Sequence, residues 1–254
     1  MMDIENKYGT LKNQQILLKM VNDLHNFLSI NNISYSLMGG SLIGIIREGG
    51  FIPWDDDIDI MMDRTNYNKF IQLSHFLVDY KVYRYLWVER IQRSCDINNK
   101  LINPLSIPTI DIFIIDNMPN SKFLEKLKSL LIKILQGMMK KKQDYSKFSF
   151  FVRASLFFTY ILGKLFTDNT KWRLYCKVSQ IGNKNTSKYV SCYNDLFENI
   201  GLKYTYNLMN DLEIRQFETL NLPITKYYDN YLKAVYGDYH TPPAKSERIP
   251  KHII

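Results

Sequence analysis

Over residues 11–28 the apolar positions Leu17, Met20, Val21, Leu24, Phe27 and Leu28 recur at three- and four-residue steps, which predicts an amphipathic helix that Asn31-Asn32 ends. Residues 34–38 read as a short strand, Gly39-Gly40 breaks it, and residues 41–47 read as a brief helix starting just after the glycine pair. Next, Asp57 and Asp59 alternate with Ile58 and Ile60, the period of a strand over 57–62. A helix over 65–76, a strand over 82–88 and a more apolar strand over 110–115 follow, the last closed by Asp116, Asn117 and Pro119. Past Pro119 the pattern turns helical, over 122–141, 150–166, 172–181 and 227–235. The expected fold class is therefore mixed α/β (α+β), with a small mixed sheet flanked by helices over 1–119 and a mostly helical subdomain over 120–254. The border is a composition shift near Asn120, with no Gly/Ser or Pro-rich linker to mark it.

Composition narrows the class. A chain of 254 residues, 46% hydrophobic and 14% aromatic, can build a core without disulfide or metal and is not disordered; 11 Gly and 8 Pro exclude a collagenous or low-complexity chain. Cys95, Cys176 and Cys192 show no C-x-x-C spacing, so buried thiols in a reducing compartment are expected rather than a disulfide framework or zinc site. The first residues lack the charged-then-apolar order of a secretory signal. Residues 154–166, broken by Thr159, Gly163 and Lys164, fall short of the roughly 18 apolar residues of a membrane span. A cytoplasmic location is the expectation. With 33 Lys and Arg against 25 Asp and Glu, the formal charge of +8 points to an anionic partner without identifying it.

Candidate chemistry begins at Asp57 and Asp59. Two apart on a strand, they face the same side, a costly juxtaposition unless a cation lies between them, although solvated Asp pairs at strand ends are also common. Mg²⁺ (or Mn²⁺) prefers hard carboxylate oxygens and keeps positions open for substrate phosphates. Asp111, flanked by Ile110 and Ile112 in the second apolar strand, is a third carboxylate that can converge with the pair, because a buried Asp among isoleucines needs a partner. Upstream, Gly39-Gly40-Ser41 leads into a helix, and such a turn offers backbone N–H groups and a hydroxyl to an anion.

The run Gly39-Gly40-Ser41-Leu42-Ile43-Gly44-Ile45-Ile46-Arg47, followed by Gly50-Phe51-Ile52-Pro53-Trp54-Asp55-Asp56-Asp57-Ile58-Asp59-Ile60, closely resembles the signature of the LicD family of phosphocholine transferases. The segments 110–119 and 231–243, the latter with Tyr236-Gly237-Asp238-Tyr239, resemble the same family; the match runs from about residue 11 to 252 and is weakest over 120–200. The resemblance implies a nucleotidyltransferase-like core in which Gly40 and Ser41, at the turn that Gly39 opens, hold donor phosphates, while Asp57, Asp59 and Asp111 are catalytic and bind one or two Mg²⁺. It further implies transfer of a phospho-alcohol, phosphocholine foremost, from a CDP-alcohol donor to a sugar hydroxyl of a cell-surface glycan acceptor, with release of CMP.

Asp111 is also the expected proton acceptor, and Asp55 and Asp56 are expected to support the site by hydrogen bonding or to be solvated. Arg47 can reach a phosphate or pair with Glu48. Trp54 can receive a quaternary ammonium on its ring face, or simply pack. Lys245, Arg248 and His252 form a basic cluster in the tail, either folded over the donor or solvated. Residues 122–147 hold eight Lys against Glu125 and Asp144, with Leu124, Leu127, Leu130, Leu131, Ile134 and Leu135 at helical spacing. That stripe either packs on the core or rests on an anionic inner-membrane surface bearing a lipid-linked acceptor. Two rival functions stand beside the main one: a nucleotidyltransferase acting on a small-molecule or sugar acceptor, and a protein binding nucleic-acid phosphates. The second fits poorly, since no aromatic platform interleaves the basic helix, and no nucleic acid is expected as partner.

Overall fold

The computed structural model describes residues 6–99, 106–140, 150–182 and 187–250. The fold is mixed α/β, in two compact units. The first comprises residues 1–83, 89–114 and 207–254, the second residues 84–88 and 115–206, so the chain returns to the first unit at Asn207.

In the first unit, helix α1 (Leu11–Ile30) buries Leu17, Met20, Val21, Leu24 and Leu28, the stripe its spacing predicts. Strand β1 (Ser36–Leu37) pairs antiparallel with β2 (Ile58–Asp63) in the register Ser36↔Met61 and Leu37↔Ile60. Helix α2 (Gly39–Arg47) lies between them in sequence. The glycine pair forms its first two residues rather than preceding it, with extended Met38 as N-cap. Asp63 caps helix α3 (Arg64–Leu73) by accepting a 2.8 Å hydrogen bond from the Asn66 N–H.

The predicted strand over 82–88 is in fact a hairpin, β3 (Tyr80–Tyr85) and β4 (Val88–Arg93). Its bend at Leu86, φ 56°, carries no Gly, Asn or Asp to signal it. The short helix α4 (Ser94–Asn98) follows, then β5 (Ile110–Asn117), giving the strand order β1-β2-β5-β4-β3. β5 is buried at almost every position, as a central strand covered on both faces must be. Leu17, Leu37, Leu42, Ile58, Ile60, Phe70, Ile110 and Ile112 form the floor of this unit, each essentially without exposed surface. Hairpin β8 (Leu212–Phe217) and β9 (Leu220–Thr225) and helix α8 (Tyr228–Tyr236) complete it. The Thr225 N–H donates to Ser36 Oγ at 2.9 Å, tying β9 beside β1.

The second unit holds α5 (Lys122–Met139), α6 (Phe150–Lys164) and α7 (Asp168–Ser179), with β6 (Tyr189–Cys192) and β7 (Tyr204–Thr205). β6 pairs antiparallel with the last residues of β5, Ile115↔Cys192 to Asn117↔Val190. Its core gathers Trp87, Ile132, Leu135, Met139, Tyr175 and Tyr193. Lys128 is buried among them. Its ammonium donates to the carbonyls of Asn117 (2.9 Å) and Ile181 (3.0 Å) and lies 3.7 Å from the Tyr193 ring centroid, which compensates the buried charge. Cys192 is buried, Cys176 half-buried and Cys95 exposed, all three as free thiols. Among the described residues no helix is long and apolar enough to cross a membrane.

Candidate active site

The acidic loop is held by α1. Thr10 Oγ1 donates to the Pro53 carbonyl at 2.7 Å, and buried Gln14 donates through Nε2 to the carbonyls of Ile52 (3.1 Å) and Asp55 (2.8 Å). Asp55, Asp56 and Asp57 then follow with one carboxylate oxygen of each within 4.8 Å of the other two; Asp56 is buried and its neighbours half-buried. Three carboxylates at that spacing repel one another in a partly desolvated site, and a hard divalent cation is the partner their oxygens suit. Asp55 and Asp56, expected from sequence only to support the site, thus stand with Asp57 in the cluster.

Asp59 enters from β2. Its N–H donates to Ser41 Oγ at 3.0 Å and its carbonyl accepts from the Met38 N–H at 2.9 Å, which fixes the strand against the first turn of α2. Ser41 is almost fully buried, so its hydroxyl positions Asp59. The two glycines have a steric reason. A Cβ on Gly39, whose φ is +57°, would fall 2.6 Å from Asp59 Oδ2, and one on Gly40 would fall 2.5 Å from Asp55 Oδ2. Both carboxylates therefore lie against the electropositive start of α2, where unsatisfied N–H groups favour negative charge.

Arg47 closes α2. Its Nε lies 2.7 Å from Glu48 Oε1, the pairing that is one of its two sequence readings, and its Nη1 donates to the Tyr239 carbonyl at 3.1 Å. Its Nη2 is buried without a hydrogen-bond partner. A desolvated guanidinium nitrogen in that state has donor capacity to spare.

These residues line one cavity of about 470 Å³, within the range of small-molecule sites. Its walls include Gly40, Arg47, Ile52, Trp54, Asp55, Asp57 and Asp59, with Tyr236, Asp238, Tyr239 and residues of the tail as far as Ile249. Hydrogen bonds from Thr241 and His240 hold the Asp238 carboxylate below its ordinary range. Burial, with the bond to Asp229, pushes the Tyr239 hydroxyl up to about 12, so it remains a donor at neutral pH. In the sequence Tyr236-Gly237-Asp238-Tyr239 stands as a motif with no sign that it belongs to the site.

Trp54 is half-buried, its ring in edge contact with Tyr8 (centroids 5.8 Å apart) and 5.1 Å from the Arg248 guanidinium carbon. Arg248 also donates through Nε to the Pro243 carbonyl at 2.9 Å. The chain thus places a cation of its own on the ring that a quaternary ammonium would use. Lys245 is exposed on the short 3₁₀ turn Lys245–Glu247, and His252 lies outside the described residues.

Asp111 is placed differently. It sits opposite Arg90 in the β4/β5 register, with Arg90 Nε 3.0 Å from one carboxylate oxygen and Nη2 donating to the other at 3.1 Å. Among the described residues the cavity wall includes Asp57 and Asp59 and not Asp111.

A second cavity of about 660 Å³ borders the same loop, lined by Tyr8, Gln15, Leu18, Glu48, Phe51, Pro53 and Glu218 among others. Phe51 and Pro53 line this one, Ile52 and Trp54 the first, so the segment 51–54, whose Ile52 carbonyl accepts from the Asp55 N–H at 2.9 Å across a turn, borders both.

Residues 32–118, which carry the glycine turn, the acidic loop, Arg90 and Asp111, match the family model described as LicD/FKTN/FKRP, nucleotidyltransferase domain. The glycine turn and the acidic loop therefore lie within the stretch that is similar to this family. Beyond it, the chain is 28% identical over 263 aligned positions to the lipopolysaccharide cholinephosphotransferase LicD of Haemophilus influenzae, covering 96% of both proteins. Shorter matches join it to two uncharacterized rickettsial proteins. One from Rickettsia prowazekii is 37% identical over 66 residues, 21% of this chain and 25% of that protein; one from Rickettsia typhi is 46% identical over 44 residues, 17% and 14%. The similarity over 96% of the chain takes in the tail that walls the cavity as well as residues 32–118.

Proposed function

We propose that this protein is a transferase that moves a phospho-alcohol, phosphocholine foremost, from a CDP-linked donor to a sugar hydroxyl of a cell-surface glycan, releasing CMP. The observation that carries the reading is the gathering of Asp55, Asp57, Asp59 and the unsatisfied Arg47 nitrogen around one cavity. The similarity along 96% of the chain to a lipopolysaccharide cholinephosphotransferase supports the choice of cargo and acceptor.

Within this reading Arg47 takes a donor phosphate, and the first turn of α2 at Gly39 and Gly40 sets the carboxylates that face it. Asp55, Asp56, Asp57 and Asp59 offer the hard oxygens that would hold Mg²⁺ or Mn²⁺, which when bound would neutralise the diphosphate charge. The acceptor hydroxyl oxygen forms a bond to the phosphorus of the alcohol phosphate while the bond from that phosphorus to the CMP oxygen breaks. CMP leaves with the electron pair, and the hydroxyl proton passes to a cavity carboxylate. Asp57 and Asp59 are better placed to take it than Asp111, whose two oxygens face Arg90; for Asp111 the reading is a positioning role that holds β4 to β5. Trp54 receives the choline ammonium once Arg248 yields its ring face. The second cavity, with Tyr8 and Phe51 for sugar faces and Gln15, Glu48 and Glu218 for hydroxyls, takes the acceptor across the Phe51–Trp54 strip.

The test is a product assay by mass spectrometry. The full chain, with Mn²⁺ and lipid-free lipopolysaccharide core oligosaccharide, is given CDP-choline, CDP-ethanolamine, CDP-ribitol or CTP. CMP together with an oligosaccharide heavier by one phospho-alcohol is the expected outcome. Consumption of CTP with pyrophosphate release, and none of the CDP-alcohols, would show a nucleotidyltransferase instead.

A further inference from the structure

Helix α5 is apolar on two sides. One side faces the core of the second unit through Ile132, Leu135 and Met139. The other leaves Phe123 73%, Leu127 38% and Leu130 55% exposed, with Leu124 beside them at 43%. Positions 123, 127 and 130 are spaced to share one helix face, and Lys122, Lys126 and Lys133 run along its edge. Helix α6, which packs on α5 where Gly137 meets Thr159 and Gly163 meets Met138, repeats the pattern. Phe157, Phe158 and Ile161 are exposed on it, at 55%, 67% and 46%, with the exposed Lys164 at its end and Leu165, 75% exposed, just past it. Side chains of this size exposed in series on two adjoining helices exceed the scattered apolar residues of an ordinary surface.

We propose that this face of α5 and α6 rests on an anionic lipid bilayer, with phenylalanine and leucine in the acyl boundary and the lysines at the headgroups. Charge decides between occupants. A second copy would bring another row of lysines against the first, whereas anionic lipid complements each Lys near the surface and the apolar rows enter the interface without spanning it. No described helix can span, so surface contact is the mode open to these helices. The inference goes beyond the proposed transfer reaction and does not depend on it: vesicle binding is read without donor or acceptor.

The experiment is co-sedimentation of the full chain with vesicles of phosphatidylcholine alone or with one third phosphatidylglycerol, at low and at high salt. Two variants accompany it, Leu127→Ser/Leu130→Ser and Phe157→Ser/Phe158→Ser, checked for folding by circular dichroism, with sedimentation velocity on the lipid-free protein. The expected result is binding to the anionic vesicles that weakens with salt and falls about tenfold or more in each variant, with a monomer in solution. No binding to anionic vesicles at low salt overturns the proposal. So does binding that the variants leave unchanged, or a dimer that they dissociate.

Discussion

At the residue scale, the acidic loop and the glycine turn do one job between them. Gly40 must lack a side chain because Asp55 lies against it, and Asp55 is held there because Gln14 fixes its carbonyl from α1. The motif was legible in sequence as spacing; Thr10 and Gln14 were not, since each acts through a backbone carbonyl some forty residues away that no local pattern records. Arg47 and Asp111 separate by the kind of loss each would cause. Arg47→Ala should raise the donor KM about ten- to hundredfold, the scale of a lost hydrogen bond to a charged group, with little change in melting temperature. Asp111→Asn should instead lower stability by about 3 kcal/mol, because it strips Arg90 of its counter-charge in a largely buried pair, and calorimetry reads the difference directly.

At the element scale, period and punctuation revealed α1, α2, β2, α3 and β5, whose apolar faces are set by local spacing. The sequence of the β3–β4 hairpin has the pattern of one strand because its turn is stabilised by burial of Trp87 in the core of the second unit rather than by turn residues. Strands β6 to β9 are not legible in the sequence for a related reason. β8 and β9 are short and partly polar, with Pro223 inside β9, and the pairing that makes them strands is their own register, Leu212↔Thr225 to Phe217↔Leu220. The tip of that hairpin supports the site. Glu218 accepts from the Phe51 N–H at 3.0 Å and its own N–H donates to Gly49 at 2.8 Å, so β8–β9 braces the turn that leads from α2 into the acidic loop. That turn tolerates no bulk at Gly44, where a Cβ would overlap the Gly50 carbonyl oxygen. Gly44→Ala should therefore cost about 1–3 kcal/mol by overpacking and broaden the melting transition, as a thermal scan would show.

At the scale of the whole molecule, stability and activity have separable controls. His25 lies on α1 with its Nδ1 3.0 Å from the Tyr35 hydroxyl, and burial lowers its pKa below 6.5. The unfolded chain then takes up the proton first, so as pH falls below about 6.5 the fold loses stability, while above it His25 contributes no slope. His25→Gln should flatten the dependence of melting temperature on pH between about 6.5 and 5 without changing its value at pH 8. The chain visits the second unit twice, over 84–88 and 115–206, and the return at Asn207, after which Tyr236 to Tyr239 reach the cavity, carries no mark in composition. The most direct test of the central claim, that the carboxylates around this cavity act on a nucleotide-linked phosphate, is a ³¹P NMR time course of CDP-choline and acceptor oligosaccharide with magnesium. Wild-type chain, Asp57→Asn and Asp59→Asn would be compared, each first shown to melt alike. Wild-type chain should convert donor to CMP while each variant slows by about a hundredfold or more, the loss expected when groups at the reacting phosphate are removed. A variant that turns over at the wild-type rate would contradict the account.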